Sequence, residues 1–546
     1  MHESVTGAGR RSSASRCLFS LLAGAVHALA LSPWVATWAG LPVLLQSLAL
    51  LGLLWCLAGA GSARQGALSA WLYGSAWLVG ATGWMFVSLH HFGGLPAWLA
   101  ASAVGLLCMA LSAYMALLGA AWVRWRRGAP VPDAALFGAL WLLAELARAL
   151  LFTGFPWGAS GYALIDSPFD RLAPWLGVYG LGWVWASLVA LAGLGVLEAP
   201  VGSGASVASG TSGTSGTSSP WRRALLACAP LAAVVGLLAA WPAPEFTRAH
   251  GKPLSVELLQ SNVPQDEKFD AARLSDMLNW HAMQLAQARG DLVVAPETAI
   301  PLLPEQLPPG FWDAVVGLFG PSTGRAALIG VPLGSFEAGY SNSVVGLGGQ
   351  GPGYRYDKHH LVPFGEFIPT GFRWFVDLMN MPLGDFSRGP LAAPSFEVGG
   401  QRVAPNICYE DLFGEELATR FIDVDRAPTL LANVSNLAWF GDTVAIFQHL
   451  QIARMRSLEF QVPTIRSTNT GATVVIDHRG VITHRMPTQT RGVLRADVQG
   501  HLGQTPFAQW AGHLGLWPLM LLGLAVAVLC ARRGVAGRGA AAPSIH

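Results

Sequence analysis

The chain has 546 residues, 52% of them hydrophobic and only 12% charged, with 22 Trp. A soluble domain carries about 25% charged residues, so composition excludes an ordinary soluble protein. A formal net charge of +2 leaves no electrostatic footprint for nucleic acid.

The charges are also unevenly spread, with none from Cys17 to Ala63, Gln65 to Val123 or Leu172 to Leu197. A membrane-crossing helix needs roughly 20 apolar residues, so the first two stretches each hold two, with turns at "SPW" (Ser32–Trp34) and "HHFGGLP" (His90–Pro96). In chain order the pattern predicts eight spans, near 17–31, 38–58, 66–88, 97–122, 134–152, 173–197, 224–241 and 512–531. The first reads as a retained span, because no small-residue cleavage site precedes a polar mature start. In the fifth, Glu145 and Arg148 are spaced to pair on one helix face. Eight spans place five basic groups on one side: Arg10, Arg11 and Arg16; Arg64; Arg124, Arg126 and Arg127; Arg222 and Arg223; and Arg532, Arg533 and Arg538. That side is the cytoplasm. Both termini are then expected there, with the long polar segment on the opposite, periplasmic face. The expected domains are a seven-span membrane domain (1–244) containing a Gly/Ser/Thr linker (201–220), an extramembrane domain (245–505), and a last span with a cytoplasmic tail (506–546).

Residues 245–505 alternate short apolar runs with longer amphipathic ones. "LSVELLQSNV", "LVVAP", "AALIGVP", "SVVGLG", "RVAPNIC", "TLLANVS", "TIRST" and "ATVVID" read as strands, and Phe269–Arg289 has helical spacing. This is a layered α/β pattern. Cys408, in "PNICYEDLF", is the one cysteine of this domain, which excludes a disulfide within it. At a strand-to-helix junction it is either a buried core residue or a nucleophile using the helix dipole and nearby N–H groups. Glu297, after the strand in "LVVAPETAIP", is either a helix-cap acid or a base. Lys358 lies in "YRYDKHHLVPFGEFIP", eight residues before Glu366, and is either solvated surface or part of a site. His359 and His360 suggest a metal, but no Cys or carboxylate cluster stands at ligand spacing, so neither metal nor cofactor is expected.

Together these Glu, Lys and Cys contexts resemble the nitrilase superfamily of carbon–nitrogen hydrolases. With the eight spans, the whole chain resembles the apolipoprotein N-acyltransferase family of the bacterial inner membrane. The motifs are "AELARALLFTGFPWGASGYA" (Ala144–Ala163), "KHHLVPFGEFIP", "FSRGP" (Phe386–Pro390), "NICYEDLF" and "HLQIARMRSLEFQVPTIRSTNTG" (His449–Gly471). One departure is Leu437 in "SNLAWFG", where the family reads Asp. The resemblance implies a polytopic α-helical membrane domain plus an αββα sandwich. It implies Cys408 as nucleophile, Glu297 as general base and then acid, and Lys358 facing the oxyanion. Glu366 would orient Lys358 and the base. Tyr409 and Glu410 would flank the nucleophile, with the Tyr409 N–H as an oxyanion donor. Asn342, Arg373 and Trp439 would shape the lipid and peptide sites. The implied partners are a phosphatidylethanolamine-like phospholipid donor and a diacylglyceryl apolipoprotein acceptor. The alternatives are a membrane-tethered amidase acting on a small amide, and a transporter with a degenerate nitrilase-like appendage. A transporter needs polar residues at mid-membrane, where only Glu145 and Arg148 stand. Finally, the apolar, Gly- and Pro-interrupted stretch Phe364–Phe386 reads as a membrane-dipping lid.

Overall fold

The computed structural model describes residues 3–539 apart from 198–219, 269, 321–322, 336, 338, 351–352 and 377–384. The predicted linker, except Pro220, and the centre of the predicted lid therefore lie outside the described residues.

Helices stand at all eight positions expected for spans: Glu3–Ala30, Leu41–Ala58, Ala63–Thr82, the pair Ala97–Leu111 and Ala113–Trp125, Pro130–Leu150, Ala173–Leu197, Pro220–Ala240 and Trp517–Gly539. By length and apolarity, five of the described segments suffice to cross a membrane: Ser13–Ala30, Leu41–Ala58, Ala97–Trp125, Pro130–Thr153 and Pro168–Leu197. Pro506–Leu514 and Trp517–Arg532, bent by 87°, make a sixth if taken as one span. Ala63–Thr82 is diluted by Arg64, Gln65, Ser69, Ser75 and three glycines, and Ala224–Ala240 is apolar but short. The bundle is cemented by fully buried aromatics, among them Tyr73, Trp77, Trp122, Trp141 and Trp185. Glu145 and Arg148 lie 4.0 Å apart and organise the turn that follows their helix. Arg148 donates to the carbonyls of Phe155 and Trp157, and Glu145 accepts from the Ser160 N–H and hydroxyl.

Among the described residues the α/β part has fourteen strands: β1 Thr247–Ala249, β2 Leu254–Gln260, β3 Leu292–Val294, β4 Ala326–Ser335, β5 Gly339–Leu347, β6 Tyr354–Asp357, β7 Phe396–Val398, β8 Gln401–Ile407, β9 Leu430–Ser435, β10 Thr464–Thr468, β11 Val474–Ile476, β12 Ile482–Arg485, β13 Gly492–Val498 and β14 His501–Gly503. They form two six-stranded sheets, ordered β13-β2-β3-β4-β5-β6 and β12-β11-β10-β9-β8-β7, plus the small pair β1-β14. In each sheet three parallel strands (β2, β3, β4; β8, β9, β10) are flanked by antiparallel ones. The parallel strands are buried on both faces, which is why they read as unbroken apolar runs. The inner faces meet through Val256, Leu258, Val344, Val403, Ile407, Val434 and Ile465. The Ser467 hydroxyl crosses the gap to the carbonyls of Leu259 and Val294. Helices Ala271–Gln287 and Phe311–Gly317 cover one outer sheet face, and Val444–Phe460 with Pro506–Leu514 cover the other. The order is α-β-β-α, as the resemblance implied.

Candidate active site

Glu297, Lys358 and Cys408 follow the carboxyl ends of β3, β6 and β8. A strand end releases the next side chain from the sheet, and in such sheets that edge is where ligands gather. The structure brings Glu297, Lys358, Glu366 and Asn342 into one buried cage, with Lys358 only 1% exposed. Asn342 Nδ2 donates to Glu297 Oε1 (2.7 Å) and to Glu366 Oε1 (2.8 Å). Lys358 Nζ donates to the same two oxygens, at 3.5 Å and 2.9 Å. Glu297 Oε2 accepts from the Asn436 N–H (2.8 Å), and Glu366 Oε2 from the Val362 N–H (2.8 Å). Two carboxylates thus share one cation and one neutral donor. Burial pulls the Lys358 ammonium down, but Glu366 and Glu297 outweigh it and hold it above its ordinary value.

Cys408 sits beside this cage with φ at 52°, in the left-handed region. Such backbone strain in a non-glycine residue costs about 1–3 kcal/mol and needs support from its surroundings. Support comes from beneath. The Cys408 carbonyl accepts from His449 Nε2 (3.0 Å) and Asn433 Nδ2 (3.4 Å). Arg466 Nη2 donates to His449 Nδ1 (2.5 Å), which leaves the ring proton on Nε2. Burial and the Arg466 charge hold His449 well below its ordinary value, so it is neutral. Arg466 pairs with Asp411 (3.3 Å), which also accepts from Asn406 (2.8 Å). Glu410 ties the nucleophile segment to the lysine loop. Its carboxylate accepts from the N–H groups of Ile407 (2.7 Å), His359 (2.6 Å) and His360 (3.2 Å) and from the Tyr356 hydroxyl (2.8 Å).

The structure corrects one expectation about the thiol. Cys408–Leu412 is a single 3-10 turn and Gly414–Ala418 a short helix, so no sustained helix dipole aims at Cys408. Burial pushes the thiol up, Glu297 and Glu366 add to this, and Lys358 and Arg466 do not outweigh them. The resting group is a thiol, and it needs a base.

The site lies against the helix bundle. Tyr409, Leu412 and Phe413 share a buried apolar cluster with Trp141 and Trp157, and the Tyr409 hydroxyl donates to the Gly154 carbonyl (3.1 Å). His360 reaches Glu416 and the Thr153 carbonyl (2.9 and 3.0 Å). Phe364 and Ile368, from the predicted lid, pack on Leu95 and Ala100, while Phe372 and Trp374 are exposed. Arg373 is not part of the cage. Its side chain is 72% exposed and faces Asp385 at 3.7 Å. Trp439 is half-buried, edge-on to Phe92 (5.8 Å), and its carbonyl accepts from Ser88 (2.6 Å), at the π-helix Ser88–Phe92 of the bundle. Leu437 is fully buried in the inter-sheet core, where a Cβ on Gly471 would come within 2.9 Å of it. Apolar packing therefore seats the loop whose Asn436 N–H holds Glu297.

Sequence reasoning missed Asn436, Asn433, His449, Arg466 and Lys268. Asn436 follows "TLLANVS" as Glu297 follows "LVVAP", and a polar residue at a predicted strand end was the available signal. Lys268, after β2, donates to the Glu297 carbonyl (3.1 Å).

Comparison with known proteins covers both the apolar helices and the α/β part. Residues 23–191 match the apolipoprotein N-acyltransferase N-terminal domain and residues 258–507 the carbon-nitrogen hydrolase domain. The chain is 46% identical over 531 residues to the apolipoprotein N-acyltransferase of Verminephrobacter eiseniae, covering 91% of this chain and 93% of that one. It is 43% identical over 509 residues to that of Ralstonia nicotianae (92% and 91% covered) and 40% over 550 residues to that of Bordetella bronchiseptica (92% and 95%). With similarity running through both the apolar helices and the α/β sandwich, the chain belongs to the apolipoprotein N-acyltransferase family.

Proposed function

We propose that the protein moves an acyl chain from a membrane phospholipid, through a thioester on Cys408, to the free α-amine of a diacylglyceryl-cysteine at an apolipoprotein N-terminus. The observation that carries this reading is the buried Glu297–Lys358–Glu366–Asn342 cage beside a strained, protonated thiol, packed against apolar helices. Glu297 takes the Cys408 proton as sulfur attacks the sn-1 ester carbonyl of a phosphatidylethanolamine-like donor. Lys358 and the Tyr409 N–H face the oxyanion. The carbon–oxygen bond breaks, Glu297 protonates the leaving alkoxide, and a lysophospholipid departs. In the second half, the acceptor amine attacks the thioester carbonyl, Glu297 takes its proton, the carbon–sulfur bond breaks as the amide forms, and the proton returns from Glu297 to the Cys408 thiolate. This is ping-pong chemistry. Glu366 and Asn342 hold Glu297 and Lys358 in place, and Glu410 holds the loops of Lys358 and Cys408 together. Arg373 and Trp439 belong to substrate approach. A thioester must be kept from water, which suits a site seated on the bundle.

In this reading the chain crosses a bacterial inner membrane eight times, with residues 245–505 periplasmic and both termini cytoplasmic. Domains 1–244 and 506–546 hold the spans. The test is to mix purified protein with phospholipid alone and search by mass spectrometry for an acyl adduct on Cys408. Wild type should carry it and Cys408→Ser should not. An adduct elsewhere, or normal turnover by the Ser variant, removes Cys408 from the mechanism.

A further inference from the structure

Lys268 is 3% exposed, yet among the described residues it forms no ion pair within 4.0 Å. Burying an ammonium without a direct counter-ion is costly, and an apolar side chain would fill the same space without that cost. The one hydrogen bond described for it goes to the backbone carbonyl of Glu297, at 3.1 Å.

The backbone around Glu297 is confined on every side. Thr298 is left-handed, with φ at 51°. Underneath lies Gly330 of β4, where a Cβ would stand 2.3 Å from the Pro296 carbonyl oxygen, 2.7 Å from the Thr298 nitrogen and 2.9 Å from the Glu297 Cα. The Ala295 and Ile300 N–H groups bond to the carbonyls of Leu328 and Gly330 on the same strand. The loop presses flat on β4, its next residue is held in the left-handed region, and the buried lysine closes on the Glu297 carbonyl.

We propose that Lys268 is a positioning residue of the acylation step: its ammonium clamps the backbone carbonyl of Glu297 and so holds in place the carboxylate that takes the Cys408 proton. The proposal rests on the acyl-transfer reading above.

The charged surroundings fit. The anionic group that faces Lys268 is the Glu297 carboxylate, joined by Cys408 only when it is a thiolate. His281, from helix Ala271–Gln287, bonds to no acid among the described residues; its Nδ1 lies 2.9 Å from the Met277 carbonyl, and burial brings it down to about 4, so it is neutral. Arg491 is occupied with the Ser261 carbonyl and the Trp280 ring. Beyond Glu297, Lys358 is committed to Glu366. Burial brings the Lys268 ammonium down to about 8, with Glu297 and Cys408 resisting. As pH rises through that value the clamp loses its charge, and charge-assisted hydrogen bonds are about twice as strong as neutral ones.

The experiment follows only the first half-reaction: full-length protein, phosphatidylethanolamine vesicles without acceptor, and the rate of acyl adduct formation from about pH 6 to about pH 10, bracketing the Lys268 value. Wild type should slow as pH rises past about 8. Lys268→Met should be about 10- to 100-fold slower at neutral pH, the loss expected for one charged hydrogen bond, and should lack that alkaline fall. Lys268→Arg keeps a charge that does not titrate, so it should retain most of the rate and also lack the fall. It keeps the question open to refutation if the Met variant does not fold, which thermal unfolding reveals. A Met variant within about twofold of wild type (far below the loss just given), or an Arg variant that keeps the alkaline fall, overturns the role of Lys268 alone. No adduct in wild type at any pH overturns the acyl-transfer reading itself.

Discussion

Replacing Asn342 by Leu, a side chain of similar size, removes the one neutral donor that Glu297 and Glu366 share. Its Nδ2 makes two short bonds to carboxylates, at 2.7 Å and 2.8 Å, inside a cage where Asn342 and both acids are buried. Hydrogen bonds to charged groups contribute about 1.5–3 kcal/mol each. The remaining shared donor, Lys358, is closer to Glu366 (2.9 Å) than to Glu297 (3.5 Å), so it settles on Glu366 and leaves Glu297 Oε1 without a close partner. Taking the low end for both bonds gives about 3 kcal/mol, which as lost transition-state stabilisation is about 10²-fold in rate. The assay is the rate of acyl adduct formation on Cys408 from phospholipid alone, with thermal unfolding as a control for folding. Asn342→Asp should be worse still, since it puts a third carboxylate where a donor stood. A folded Leu variant that acylates within about threefold of wild type, against the 10²-fold expected, would refute the idea that this amide aims the base.

Other consequences follow from the same geometry. Gly330→Ala should slow acylation by about 100-fold or more, because its Cβ would meet the Pro296 carbonyl at 2.3 Å and the Glu297 loop must lift; unchanged adduct formation would show that the loop yields freely. Burial pushes the Glu415 carboxyl up to about 8, and Glu459 to about 7. Their folded values exceed the unfolded ones, so the stability they give is present below about pH 4.5 and is lost as pH rises through about 7 and 8. Thermal unfolding should therefore occur at lower temperature at pH 8 than at pH 5.5, and Glu415→Gln should shrink that gap; a gap of the same size would acquit Glu415. A reporter after Arg533 should be cytoplasmic and one inserted near Gln350 periplasmic; a periplasmic C-terminus would mean an odd number of spans.

Glu297 and Cys408 were legible because each stands just past an apolar strand, where a side chain leaves the sheet, whereas Lys358 follows the polar run Tyr354–Asp357 and stood out through the resemblance alone. Asn433 and Arg466 lie inside β9 and β10, and His449 inside a helix, where local pattern offers them no role; Asn342, inside β5, was named only through the resemblance, as a residue shaping the lipid and peptide sites and not as a partner of Glu297. Their partners are also distant in sequence: Asn342 lies 45 residues from Glu297, and Arg466 lies 55 from Asp411. The dipole expectation failed because Cys408–Leu412 is a 3-10 turn, while burial first, and then carboxylates from other strand ends, raise the thiol. What could have exposed these residues is cost. A fully buried Arg–Asp pair contributes little to stability compared with well-packed apolar side chains, so the pair beneath Cys408 calls for a reason beyond folding. His449 supplies it. In the neutral ring, Nε2 carries the proton that points at the Cys408 carbonyl only while Nδ1 accepts, and an arginine, which never gives up its charge, is the donor that secures this tautomer at any working pH. Asp411 and Asn406 in turn make Arg466 tolerable in the core. The chain of polar contacts from Asn406 to Cys408 is thus best understood as the support that keeps one strained residue facing the cage.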